Sequence, residues 1–269
     1  MEILAACHVH STWSYDGSLT LEELAAEFFR RGFRVILMTE HDRGFTEARL
    51  REFRLACARA SSDKILLVPG IEYSDPANTV HILTWGDVPF LGENLPTQKV
   101  LDEVKTAGGA AVLAHPSRKE AWKHFDPAWS SGLLGIEVWN RKTDGWSPSL
   151  AAAPLVKTSG AVEFVGMDFH TRRQMFPLAM ALALKGEITR QSVLRSLKLR
   201  HCQAKVFGLP LGHRLLDGMF PTLNAAEFGR RIAARFYKKL KRAKSAPRKP
   251  NGEALASANS GETAINRQS

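Results

Sequence analysis

The feature that most constrains the fold of this chain is a recurring alternation: short runs rich in Val, Ile and Leu are separated by longer segments with helical periodicity. This is the pattern of parallel strands joined by crossover helices, and it predicts an α/β fold. Strands are expected at 3–7, 34–39, 65–71, 80–85, 110–114, 135–139 and 162–167, the fourth of which could instead be a hairpin arm. Seven strands with intervening helices suit a barrel as well as an open sheet.

The helical segments carry their own punctuation. Over 19–31, Thr20 is placed to cap the N-terminus and Glu23 to complete a capping box, with Leu21, Leu24, Ala25 and Phe28 on one face and Gly32 at the end. Further amphipathic segments span 45–60 and 99–107, the latter stopped by Gly108 and Gly109. After about Leu211 the organisation changes. A basic helix is expected over 224–244, with Ala226, Phe228, Ile232, Phe236 and Leu240 as its apolar positions, followed by a polar, disordered tail. The predicted division is therefore a catalytic domain over 1–211, an extension over 212–244 and a tail over 245–269.

Charge follows that division. The chain has a formal net charge of +10, of which the residues from Pro221 onward hold +8, eleven Lys/Arg against three Glu. The high isoelectric point thus describes the C-terminal region. Cys7, Cys57 and Cys202 are odd in number and widely spaced, which fits reduced thiols. No basic segment followed by an apolar stretch opens the chain, and no apolar run approaches the ~18 residues of a membrane span. A cytoplasmic setting is the expectation.

Six of the nine histidines, His8, His10, His41, His81, His115 and His170, lie within or just beyond a predicted strand. Asp16, Glu72 and Asp168 occupy positions of the same kind. In parallel α/β folds such strand ends converge on one site. The His8-Val9-His10 sequence places two imidazoles on one side of an extended strand by its period of two, so that both can bind one ion. Imidazole and carboxylate without thiolate suit Mn, Fe or Zn. Cys7 alternates to the opposite face and is expected to be a buried strand residue, and His124, His201 and His213 have no partner motif.

The motifs His8-Val-His10-Ser-Thr with Ser14-Tyr15-Asp16-Gly17, Thr39-Glu40-His41-Asp42, Gly70-Ile71-Glu72, Val80-His81-Ile82-Leu83, Ala114-His115-Pro116 and Gly166-Met167-Asp168-Phe169-His170 resemble, in order, those of the polymerase and histidinol phosphatase (PHP) domain. One departure is Glu40, where the family usually has aspartate. The resemblance implies a distorted seven-stranded (β/α) barrel with a trinuclear metal site and phosphoesterase activity. It further implies that His8, His10, Glu72 and Asp168 hold one ion, that Glu72 bridges to a second completed by His81 and His115, and that Asp16, His41 and His170 hold a third.

Two or three divalent ions (Mn, Zn or Fe) would leave net positive charge to attract a phosphate, and a hydroxide bridging two of them is the natural nucleophile. Arg43, Arg118 and Arg172 each follow a ligand motif closely, which makes them candidate phosphate clamps. Arg141 is a weaker one, and Trp139 could stack on a base. The leading functional expectation is hydrolysis of a small phosphate ester, a nucleotide or a phosphorylated metabolite. The alternatives are a nuclease acting on oligonucleotide ends and a metal-stabilised binding module without turnover. The basic C-terminal region fits a solvated helix, a nucleic-acid contact or a tether to an anionic membrane.

Overall fold

A computed structural model describes the backbone of residues 1–245 and the side chains of 1–237. The chain opens with β1 (Glu2–Val9), passes through α1 (Leu21–Phe29) to β2 (Val35–Met38), and breaks at Thr39 before the short β3 (Glu40–His41). After α2 (Glu47–Ala60) come β4 (Leu66–Val68) and β5 (Gly70–Ser74), separated by Pro69, and then β6 (His81–Trp85). Next, α3 (Thr97–Thr106) leads to β7 (Ala110–Ala114), β8 (Gly135–Asn140), α4 (Ala152–Ser159) and β9 (Val162–Gly166). The chain continues through β10 (Leu178–Ala183), α5 (Arg190–Lys198), β11 (Cys202–Val206), β12 (Leu209–Pro210) and α6 (Arg214–Ser245).

The strands form two mixed six-stranded sheets, β12-β11-β10-β1-β2-β4 and β3-β5-β6-β7-β8-β9. The α/β class therefore holds, but the expected seven strands undercount. The predicted strand 65–71 is two strands, β4 pairing with β2 and β5 with β3 and β6. Pro69 explains the break, because it has no N–H to give a ladder and sits where the chain crosses from one sheet to the other. The segment 80–85 is the hairpin arm: β6 runs antiparallel to β5, with Ser74 opposite His81.

A seam joins the sheets at the end of β1. Phe169 N–H donates to His8 O at 3.0 Å, His10 N–H to Phe169 O at 2.9 Å and Met167 N–H to Cys7 O at 3.0 Å, while Thr39 N–H reaches Val9 O at 2.9 Å. These bonds bring the ends of β1, β2 and β9 together.

The predicted helix 19–31 forms as α1 with the predicted capping box: Glu23 N–H donates to Thr20 Oγ1 at 3.2 Å and Thr20 N–H to Glu23 Oε2 at 2.9 Å. Its buried face, Leu21, Leu24, Ala25 and Phe28, meets the sheet beside the seam, with the Phe28 ring 5.2 Å from Phe169. Full burial of the strand residues Ala5, Cys7, Val35, Ile36, Leu37 and Val112 fills the interior.

The C-terminal helix begins earlier than the sequence suggests, at Arg214, and runs through Pro221. Leu216 is buried and the Phe220 ring lies 5.9 Å from Trp139, so apolar contact secures this first part. Met1–Phe228 is one compact unit, and the residues from Gly229 form another. Apart from Ser245, the tail expected over 245–269 lies outside the described residues. No helix among the described residues is long and apolar enough to cross a membrane.

Candidate metal centre

The strand ends carry the histidines and carboxylates to one place. His8 lies near the end of β1 and His10 just beyond it, His41 closes β3, Glu72 lies in β5, His115 follows β7, and Asp168 and His170 follow β9. His81 opens β6, and because that strand runs antiparallel its first residue lies beside the end of β5. Asp16 comes from the loop after β1. Plain alternation does not account for the placing of His8. β1 is bulged between Cys7 and Val9, and His8 has φ +61°, in the left-handed region. His115 (φ +27°) and Asp168 (φ +48°) share that region. A left-handed non-glycine residue costs roughly 1–2 kcal/mol, and such strain tends to collect at functional sites.

Glu72 is the hub. Its Oε2 lies 3.5 Å from His8 Nε2, 3.4 Å from His10 Nε2 and 3.0 Å from His41 Nδ1, and its Oε1 lies 2.7 Å from His81 Nδ1 and 3.0 Å from His115 Nε2. Asp168 Oδ1 completes a close group at 3.7 Å from His8 Nε2 and 3.6 Å from His10 Nε2. On the outer side, Asp16 contacts His41 Nε2 at 3.3 Å and His170 Nε2 at 3.1 Å.

These distances test whether the donors suit a metal. Ligand atoms placed about 2.0–2.2 Å from a tetrahedral ion stand roughly 3.3–3.6 Å apart. The separations of His8 Nε2 and His10 Nε2 from Glu72 Oε2 and Asp168 Oδ1, 3.4–3.7 Å, lie close to that edge. His8 Nε2, His10 Nε2 and Glu72 Oε2 are also buried without a hydrogen-bond partner, an arrangement that costs free energy unless something binds there. Donor triads are formed by His8, His10 and Asp168, by His8, Glu72 and His115, and by His10, His41 and His170. The set of Glu72, His81 and His115 is drawn closer, with both imidazoles at hydrogen-bond distance from Glu72 Oε1.

The electrostatics follow from this crowding. Burial and the neighbouring His41 and His170 hold His10 well below the usual histidine pKa. Burial also opposes protonation of His8, but Glu137, Asp168 and Glu72 outweigh it and raise its pKa well above the usual value. His41 is raised to about 10 as Asp16 and Glu72 overcome its burial. Burial disfavours the ionised forms of Glu72 and Asp16, yet the surrounding imidazoles keep both carboxyls below the ordinary range. A cation entering this cluster replaces protons, so affinity for it rises with pH.

Several positioning groups escape a motif-based reading. Glu137, fully buried in β8, accepts from His8 Nδ1 at 2.9 Å, His115 N–H at 2.8 Å and Asn140 Nδ2 at 2.9 Å. Since a carboxylate accepts, Nδ1 of His8 carries a proton, and Nε2 faces the cluster, where its lone pair becomes available to a cation that displaces the second proton. The signal was present in the sequence as an acid inside the apolar run Gly135-Ile-Glu-Val-Trp139. Glu40, the departure from aspartate, uses its extra reach to accept from Ser11 N–H at 3.0 Å, Ser11 Oγ at 2.6 Å and Ser14 Oγ at 2.5 Å. It thereby fixes the loop that carries Asp16.

Gly166 must be glycine, because a Cβ there would lie 1.7 Å from Glu137 Oε1. Gly166→Ala is expected to push Glu137 off His8 and to weaken metal retention by about 10–100-fold. Titration of bound metal against a chelator would measure this, and unchanged retention would refute the role given to Glu137.

The centre lies at the base of a cleft of about 460 Å³ whose lining includes Tyr15, Arg43, Asn78, Arg118 and Lys142. Arg118 is held at the mouth by Asn78 O at 2.9 Å and approaches His81 Nε2 at 3.2 Å. Arg43 lies over Tyr15, its guanidinium carbon 5.6 Å from the ring centroid. Arg172, expected at the phosphate, is instead drawn outward by Glu23 at 3.5 Å and Glu27 at 3.9 Å. Arg141 packs over Phe176 at 5.2 Å. The next residue, Lys142, unmarked by any motif, supplies the cation, with Nζ 3.3 Å from Asp168 Oδ1. Trp139 is buried core, its Nε1–H donating to Gly145 O at 3.1 Å, and is not placed to stack on a base.

No family model and no curated protein matches the chain. Solved structures do. The crystal structure of PsfC from Pseudomonas syringae PB-5123 is similar at a TM-score of 0.57 and 15% identity, over 87% of this chain and 99% of that one. The crystal structure of PfuEndoQ, a lesion-specific endonuclease from Pyrococcus furiosus, is similar at a TM-score of 0.53 and 14% identity, over 74% of this chain and 56% of that one. At such identities the likeness is one of fold.

Proposed function

We propose that the chain is a metal-dependent phosphoesterase acting on a small phosphate ester, with its two sheets as the halves of a distorted barrel around the metal centre. The observation that carries the reading is the group of His8, His10, Glu72 and Asp168, whose donor atoms stand 3.4–3.7 Å apart across the group, with His8 Nε2 and His10 Nε2 buried and making no hydrogen bond. His8, His10, Glu72 and Asp168 would hold one divalent ion, Glu72, His81 and His115 a second, and Asp16, His41 and His170 a third. Bound ions of this kind supply an activated water and neutralise charge at phosphorus.

The protein's own cations complete the task. Arg118 and Lys142 line the cleft and would draw in and orient the phosphate, with Arg43 beside Tyr15. A cleft of about 460 Å³ suits a ligand of nucleotide size. Tyr15, 70% exposed at the rim, offers a ring face to the alcohol portion of the ester.

The test is to strip the protein of metal, reconstitute it separately with Mn, Zn or Fe, and assay a monoester, a diester and a short oligonucleotide. Hydrolysis is expected on reconstitution and is expected to be lost in His10→Ala and Asp168→Ala. Full metal occupancy without hydrolysis of any ester would overturn the proposal. Preference for the oligonucleotide would favour the nuclease reading, which the fold-level likeness to an endonuclease keeps in contention.

A further inference from the structure

The C-terminal part of α6 has no part in the chemistry above. Between Phe228 and Ser245 it contains eight Lys/Arg and no Asp or Glu. It also presents large apolar side chains to water: Phe228 is 68% exposed, Ile232 37% and Phe236 64%. These stand four residues apart, and each step of four turns about 40° around a helix. The sequence continues the spacing with Leu240, so the row occupies an arc of about 120°. Of the eight cations, helical periodicity places only Lys239 within that arc.

We infer that this helix lies on an anionic bilayer surface, its apolar row dipping among the acyl chains and its cations against lipid phosphates. The combination of two opposed faces selects this occupant. A nucleic acid would engage the cations but leave Phe228, Ile232 and Phe236 in water, whereas a bilayer interface takes up both. Packing of the row against a second copy would bring two strongly cationic helices together, which like-charge repulsion opposes. The helix lies on the surface and does not cross it, since its charge leaves no apolar span.

The experiment is sedimentation of the full chain with vesicles of phosphatidylcholine and with vesicles also containing phosphatidylglycerol, alongside a single-stranded oligonucleotide. Binding is expected only to the anionic vesicles and is expected to weaken with salt. Ile232→Ser/Phe236→Ser should weaken it by on the order of tenfold or more, with helicity by circular dichroism retained. Lys238→Glu/Arg242→Glu, which keeps the apolar row, should weaken it as well. Failure to bind anionic vesicles, equal binding by the serine variant, or tighter binding to the oligonucleotide would each overturn the inference.

Discussion

Glu72→Gln should lower ester hydrolysis by on the order of 10³-fold, the equivalent of several kcal/mol of charge stabilisation. The substitution keeps the shape of the side chain, so the fold should persist. What it removes is the negative charge that faces His8, His10 and His41 through one oxygen and His81 and His115 through the other. An amide also turns an N–H₂ towards one of those groups, against a metal ion or a ring N–H. In the proposed centre Glu72 would hold two ions and contacts His41 of the third, so bound metal per chain should fall together with kcat/KM. Metal analysis beside steady-state kinetics gives both quantities. Retained metal with near-normal turnover would remove Glu72 from the centre.

Glu137→Ala should lower metal affinity by about 10–100-fold and should also destabilise the fold. Three donors, His8 Nδ1, the His115 N–H and Asn140 Nδ2, meet this one buried carboxylate. Leaving a buried donor unpartnered costs about 1–3 kcal/mol, so thermal unfolding of the metal-free protein should shift clearly downward. Glu137→Gln separates the two effects. A glutamine can accept at its oxygen, but its nitrogen must oppose at least one of the three donors, so a smaller loss of stability should accompany a comparable loss of metal. If metal retention in both variants equals that of the parent, Glu137 does not orient His8.

The candidate ligand positions were legible in the sequence because histidines and carboxylates at strand ends are polar residues interrupting apolar runs. Six of the nine expected ligands line the cleft, and His8, His10 and His170 contact these six. The groups that hold them were harder to read. Glu137 and Asn140 act through contacts with His8 and His115 that are distant along the chain, and a single acid in one strand gives no spacing to recognise. Lys142 lies in a loop and is placed by the turn after β8, whereas Arg172, close to a motif, is captured by the acids of α1. Among the strands, β10 reads Leu-Ala-Met-Ala-Leu-Ala, residues of high helix propensity. Only its pairing with β1 and β11 makes it a strand. Short β3 and β12 carry too few residues to show a period.

The place of β1 in its sheet has a consequence for how the protein is made. β1 carries His8 and His10, yet its antiparallel partner is β10, with Ala5 opposite Met180 and Glu2 opposite Ala183. At a synthesis rate of roughly 5–20 residues per second, on the order of ten seconds separates the two strands on the ribosome. Until then β1 has one open edge, and Asp168, which approaches His8 and His10, has only just been made. The first histidines translated therefore complete their site among the last, and capture of the proposed metal would belong to the closing stage of folding.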